Sequence, residues 1–197
     1  AMFTNKGVET LIAAYGVLKK KNKNLKLILK DQSTLYDKKA NEVIKKVFDS
    51  NFNKKYNIFS DEMYNDIIII SENLSFNELR NIYSITDCYV SPYTAEGFNL
   101  TPLEAAACGT QIVVTNKGST DDYFNKCMGF KIESEERKIE DRYSLYPKLD
   151  SLIEILTNII NKPDKEKIIR SKFVRENFSW ENVVKKLKKE FENKLSK

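Results

Sequence analysis

The chain has 197 residues, 41% hydrophobic and 31% charged, with a formal net charge of +5; this is enough apolar surface for one compact α/β domain with at most a helical appendage, and it excludes a large multidomain machine or wholesale disorder. Histidine is absent, which excludes Ser-His-Asp and Cys-His catalytic units, His-ligated zinc or haem, and any imidazole base. The three cysteines, Cys88, Cys108 and Cys127, lack C-x-x-C spacing, so a reducing, cytoplasmic location is expected rather than a disulfide scaffold or a metal knuckle.

In chain order, Val8, Leu11, Ile12, Tyr15 and Leu18 fall on one helical stripe that runs out in the polar stretch Lys19 to Asn24. Leu25 to Lys30 reads as a short strand, and the four isoleucines Ile67 to Ile70 as a strand buried on both faces. Residues 32–66, rich in Lys and Asn, are expected to hold one amphipathic helix at about Tyr36 to Phe52 and otherwise a loop. From there the pattern alternates: helix at Ser75 to Ile85, strand at Asp87 to Ser91, helix at Pro102 to Cys108, strand at Gln111 to Thr115, short helix near Thr120 to Phe124, strand at Phe130 to Ile132. Single helices between strands call for parallel pairing through right-handed crossovers, hence an open, Rossmann-like doubly wound sheet.

The tail is expected to be all helix. Ser151-x-x-Glu154 has the form of a capping box, Pro163 suits a helix start, and Ser179 suits a cap. In the last helix Trp180, Val183, Val184, Leu187 and Phe191 form an apolar stripe opposite Lys185, Lys186, Lys188 and Lys189, and such a stripe must pack against something. We therefore divide the chain into a body, residues 1–178, and a C-terminal amphipathic helix, residues 179–197.

The segment Asp87 to Asp122 carries the chemistry. A strand ends near Ser91, a polar loop holds Glu96-Gly97, and a helix opens with Thr101-Pro102-Leu103-Glu104, Thr101 being a good N-cap. A loop at the carboxyl end of a strand feeding a helix N-terminus is where doubly wound sheets bind ligands, and the unpaired N–H groups there attract an anion such as phosphate. Glu104 has two readings on spacing alone: a capping box with Thr101, or a ligand-facing carboxylate. Gly109 is placed to end the helix in the left-handed conformation.

Glu96-Gly97-Phe98 through Leu103-Glu104-Ala105-Ala106-Ala107-Cys108-Gly109, then Ile112 to Thr115 and Gly118, resembles the E-x7-E signature of retaining GT-B glycosyltransferases of the group 1, GT4-like family. Upstream, Lys6-Gly7 with Val8 to Tyr15 is similar to the family's K-G-x-x-x-L-I-x-A-(F/Y) helix, Leu79 to Val90 to its helix and strand before the motif, and Phe178-Ser179-Trp180-Glu181 to its closing helix.

The resemblance implies a donor-binding domain for a nucleotide-diphospho-sugar, UDP- or GDP-linked. It implies that Glu104 accepts hydrogen bonds from the ribose hydroxyls and that Glu96 faces the donor sugar. Backbone groups of Gly97, Phe98, Asn99, Leu100 and Thr101 would meet sugar and diphosphate, Lys6 would stabilise the departing diphosphate, and the turn at Ser71 would read the nucleobase. Transfer would follow a front-face course without a metal or other cofactor: no Asp-x-Asp pair occurs. Asn99 departs from the family, which more often has a second glycine there. The strand before the Lys-Gly helix and the N-terminal acceptor-binding domain have no counterpart, so the chain is expected to be the donor half of a longer parent and inactive alone. A non-catalytic nucleotide-binding or interaction module on the same fold is the alternative. The excess of 33 Lys+Arg over 28 Asp+Glu suits anionic ligands; nucleic acid is not expected, whereas peripheral membrane contact of the parent stays open.

Overall fold

A 3-10 turn at Thr4–Lys6 leads into helix α1 (Val8–Lys21), the helix expected at the start of the chain. The computed structural model describes residues 4–31, 39–56, 59–139 and 142–195. The stripe on α1 points inward: Ile12, Ala14, Tyr15 and Leu18 are buried. Strand β1 (Leu27–Lys30) follows and pairs in parallel with β2 (Ile67–Ile70), Leu27 opposite Ile67 and Lys30 opposite Ile70. Buried Lys19 ties the end of α1 to both strand starts, donating to the Leu25 carbonyl at 2.7 Å and pairing with Asp66 at 2.6 Å.

Residues between β1 and β2 hold more helix than expected. They form α2 (Ala40–Phe48), α3 (Asn51–Tyr56) and α4 (Asp61–Asn65); the expected start at Tyr36 lies outside the described residues. One helix becomes two because Ser50 restarts the chain, its Oγ accepting from Asn53 N at 3.3 Å. Ile44 and Val47 of α2 close the core over Ile12, Leu29 and Ile67.

The second half follows the predicted alternation. Helix α5 (Phe76–Ile85) is opened by a complete capping box between Ser75 and Glu78. Strands β3 (Cys88–Ser91), β4 (Gln111–Thr115) and β5 (Gly129–Ile132) form a parallel ladder in that order, with helix α6 (Leu100–Ala107) crossing from β3 to β4 and a 3-10 turn at Ser119–Asp122 between β4 and β5. Ile112, Val113 and Val114 are wholly buried, as a central parallel strand covered on both faces should be. Gly109 closes α6 at φ +85, as expected.

The Rossmann-like α/β class with parallel strands and crossover helices thus holds, its parallel strands standing in two ladders. Among the described residues no strand pairing joins β1–β2 to β3–β4–β5. What unites the halves is α1: Ile12 and Tyr15 pack with Leu29 and Ile67, while Ala14 and Leu18 pack with Val113, Ile132 and Leu152.

The tail corrects a second expectation, because it begins with an antiparallel hairpin, β6 (Ser134–Ile139) with β7 (Arg142–Pro147). Its strands carry Glu135, Glu136, Arg137 and Lys138 in open solvent and bury Ser134 and Leu145, so the alternation that marks a strand in a sequence is nearly erased. Helix α7 (Leu149–Asn161) starts two residues before Ser151, whose Oγ instead accepts from Glu133 N at 3.1 Å; the capping box with Glu154 does not form. Helix α8 (Lys167–Phe178) starts after Glu166 rather than at Pro163. It is locked to the second ladder by Arg170, which is 0% exposed, grips Asp164 through both of its terminal nitrogens at 2.8 and 3.0 Å, and donates to the carbonyls of Gly109 and Cys127. Ser179 precedes α9 (Trp180–Leu195) and accepts from Asn182 N at 3.4 Å, the expected cap. Most of the α9 stripe does not pack: Val183 is half-buried, but Trp180 is 81% exposed, and Val184, Leu187 and Phe191 are open as well.

Candidate active site

Three pieces of chain meet at the carboxyl end of β3: the loop after Ser91, the first turns of α6, and the turn before α1. Thr94 N donates to the Asn5 carbonyl at 2.8 Å and Asn5 Nδ2 to the Ala95 carbonyl at 3.0 Å, lacing turn to loop. Gly7 makes the approach sterically feasible. Its φ is +65°, and a Cβ there would stand 1.8 Å from the Pro92 carbonyl oxygen. Lys6 is thereby brought onto Glu96, Nζ donating to Oε1 in an ion pair whose side chains are 34% and 12% exposed. An ammonium has three donors, so this pairing leaves two for another anion.

Glu104 lies one turn into α6, and the structure decides between its two readings. The N-cap of α6 is Asn99, not Thr101, and no side chain caps the helix. Thr101 and Glu104 are both inside the helix, so the capping box is ruled out. Glu104 Oε2 accepts from Tyr83 OH at 3.2 Å. Burial, reinforced by Tyr89 and Glu104, pushes the Tyr83 phenol far above its ordinary range, so it stays a donor at any physiological pH.

Tyr89 stands edge-on to Tyr83, ring centroids 5.7 Å apart. Its hydroxyl donates to Thr101 Oγ1 at 2.8 Å. Burial raises its pKa, the hydrogen bond with Thr101 opposes the rise, and the charges of Glu104 and Glu96 add to it.

The loop between the acids is pinned at Asn99. This residue is left-handed, at φ 63° and ψ 72°, a conformation asparagine tolerates better than most side chains. Its Nδ2 donates to Ser91 Oγ at 3.0 Å, its Oδ1 accepts from Thr101 Oγ1 at 3.2 Å, and its carbonyl accepts from Tyr123 OH at 2.7 Å. Phe98 lies against the Tyr123 ring, centroids 5.2 Å apart. Phe98, Leu100 and Gly97 face outward, and a Cβ on Gly97 would meet nothing within 4 Å. The space beside Gly97 is open.

Of the residues predicted from sequence, Lys6 meets Glu96 directly, Asn99 meets Thr101, Gly97, Phe98 and Leu100 lie on the segment between them, and Glu104 is linked to Thr101 only through Tyr83 and Tyr89. Ser71 follows β2 in the other ladder, and no hydrogen bond or ion pair joins it to them. The sequence reading missed Ser91, Tyr83, Tyr89 and Tyr123; tyrosines scattered among strand and helix positions carry no spacing signal. Among the described residues no group of three or more His, Cys, Asp or Glu side chains stands where it could hold a metal ion.

The sequence profile of the family described as "Glycosyl transferases group 1" matches residues 1–154. The chain belongs to the group 1 glycosyl transferases. No curated protein sequence matches it, but solved structures do. Sucrose-phosphate synthase from Thermosynechococcus elongatus superposes with a TM-score of 0.70 at 18% identity, over 98% of this chain and 43% of that one. HepE from Anabaena, in complex with UDP-glucose, gives a TM-score of 0.68 at 15% identity, over 98% and 46%. The C-terminal domain of a group 1 family protein, LpcC from Francisella tularensis, gives 0.61 at 20% identity, over 90% and 81%. At these identities the likeness establishes the fold, the Rossmann-like half of a GT-B glycosyltransferase. This group 1 glycosyl transferase chain spans less than half the length of the synthase and of HepE.

Proposed function

We propose that this chain holds the nucleotide-sugar donor site of a retaining, metal-independent glycosyltransferase. The observation that carries the reading is that the Lys6–Glu96 ion pair and the Tyr83–Glu104 hydrogen bond flank the loop and first turn of α6 that follow β3, in a chain whose family profile is that of glycosyl transferases.

Each group has a chemical task. Glu104, steadied through one oxygen by Tyr83, accepts hydrogen bonds from the vicinal ribose hydroxyls. The uncapped first turn of α6 presents N–H groups to the diphosphate. Lys6 uses its remaining donors to stabilise the charge that grows on the diphosphate as the sugar departs, and Glu96 holds the sugar ring while keeping Lys6 in place. The bond from the anomeric carbon to the diphosphate breaks, a bond to the acceptor oxygen forms on the same face, and the acceptor proton passes to the departing phosphate. No protein base is needed, which suits a chain without histidine. Ser71, after β2, is assigned to the nucleobase end of the donor. We assign acceptor binding to a further domain of a longer parent protein working in the cytoplasm; alone, the chain binds donor and transfers poorly. Because the HepE structures hold UDP-glucose and UDP, a UDP-sugar is the first donor to test, with GDP-sugars next.

The test is thermal stability and calorimetric binding with UDP, GDP, ADP and UDP-glucose, for the wild type and Glu104→Ala. A ligand that fits, at about 100 times its dissociation constant, adds about 2.7 kcal/mol of stability. Glu104→Ala should remove most of that gain while leaving the unliganded melting temperature almost unchanged, since Glu104 is exposed. A folded wild type stabilised by none of the four overturns the reading.

A further inference from the structure

Asn99 spends its side chain in an unusual way for a helix N-cap. An N-cap asparagine ordinarily accepts from the N–H two or three residues on; here the side chain makes no such bond. It reaches back to the end of β3 through Ser91 and across to Thr101, which in turn accepts from Tyr89. The result is a chain of side-chain bonds, Tyr89 to Thr101 to Asn99 to Ser91, that ties the strand to both ends of the junction, while Tyr123 holds the Asn99 carbonyl from the other side. Two consequences follow. The first-turn N–H groups of α6 are left without a side-chain acceptor, and Gly97 and Phe98 are suspended between two fixed points, Glu96 on Lys6 and Asn99 on Ser91.

We propose that Asn99, seconded by Tyr123, is a positioning residue that pre-forms the Gly97–Asn99 loop for the sugar-bearing end of the donor. This rests on the donor-site reading above and deepens it. A glycine at position 99 would reach the left-handed conformation freely but would lack the bonds to Ser91 and Thr101, so the loop would have to be ordered when ligand binds. Asparagine orders it beforehand. The side chain does this without touching the donor: both of its polar ends are engaged with protein.

The discriminating variants are Asn99→Gly, which keeps the left-handed backbone without strain and removes only the side chain, and Tyr123→Phe, which removes one hydroxyl and keeps the ring beside Phe98 and Phe178. Calorimetry with UDP and with UDP-glucose, and amide hydrogen exchange of residues 97–101, are measured on the 197-residue chain. In Asn99→Gly the affinity for UDP-glucose should fall about tenfold, because the loop freed from Ser91 and Thr101 must be ordered on binding, while UDP, held chiefly by Glu104 and the helix N-terminus, changes much less. Exchange at 97–101 should accelerate in both variants, and Asn99→Asp, which tolerates the same backbone and retains the acceptor to Thr101, should restore part of the protection. Equal losses for UDP and UDP-glucose, or unchanged exchange at 97–101, overturn the proposal. If the wild type binds neither ligand, the donor-site reading fails and exchange alone decides: acceleration in Asn99→Gly upholds the loop-positioning role, and no change refutes it.

Discussion

The two parallel ladders are built from similar local patterns and behave differently. In β1–β2 Ile68 is 41% exposed and its partner Ile28 is half-buried, and the core is closed on the other face by α1 and α2. In β3–β4–β5 the central strand buries Ile112, Val113 and Val114 completely, helices α5, α6 and α8 pack with it in one cluster, and Arg170 clamps the assembly. The candidate site sits on the second ladder. The strand that leads into the site, β3, has four residues and one neighbour like β1 and β2, but that neighbour is the buried β4 and the ladder is covered by helices, which holds side chains to a closer tolerance than an open-faced pair of strands.

The sharpest way to break this contrast is to remove the clamp. Arg170→Met should destabilise the chain by about 3–5 kcal/mol, since it strips the partner from Asp164 and the donors from the Gly109 and Cys127 carbonyls; denaturant unfolding measures it. Next comes the paired test of the ladders. Ile112→Ala should cost about 3 kcal/mol through the cavity it leaves, lowering the melting temperature by about 6–12 °C in a domain of this size, whereas Ile68→Ala on the open face should cost less than about 1 kcal/mol. Equal losses would show that the two ladders are packed alike.

Acid offers a smaller effect. Hydrogen bonding from Arg170, only partly opposed by burial, holds the Asp164 carboxyl below its ordinary value of 3.8. A depressed carboxylate contributes stability that is fully present above its unfolded value and is lost as pH falls through the folded one. Stability should therefore decline as pH drops below about 4, and Asp164→Asn should be less stable at neutral pH and flatter over that acid range. The smallest effect is expected at α9. Trp180→Ser should leave the melting temperature of the chain within about 1 °C, because an 81% exposed side chain contributes little packing; a large drop would mean that α9 packs on the body.

Three Ser/Thr-x-x-Glu patterns illustrate how much could be read in advance. Ser75-x-x-Glu78, Thr101-x-x-Glu104 and Ser151-x-x-Glu154 are equivalent as strings, and only the first forms a capping box. At the second, Asn99 takes the N-cap in a left-handed conformation and shifts the helix start by two residues; at the third, Ser151 is drawn to Glu133. In both cases a partner from elsewhere in the chain outbid a local bond worth about 1 kcal/mol. The hairpin β6–β7 was invisible for a related reason, since only Ser134 and Leu145 of its described side chains are buried and an outward-facing ribbon shows no alternation.

Periodicity and glycine placement were enough to determine α1, α5, the five parallel strands and the left-handed stop at Gly109, because each depends on which side chains can face a core and on backbone angles that only a few residues adopt. The order of Glu96 and Glu104 around a helix start likewise pointed to the site. Tertiary structure alone decided that the strands divide into two ladders bridged by α1, that Lys6 pairs with Glu96 across 90 positions of chain, and that Asn99, Tyr83, Tyr89 and Tyr123 hold the carboxylates and the loop between them. Those contacts join residues distant along the chain, so no local pattern encodes them; they exist only once burial has brought the segments together.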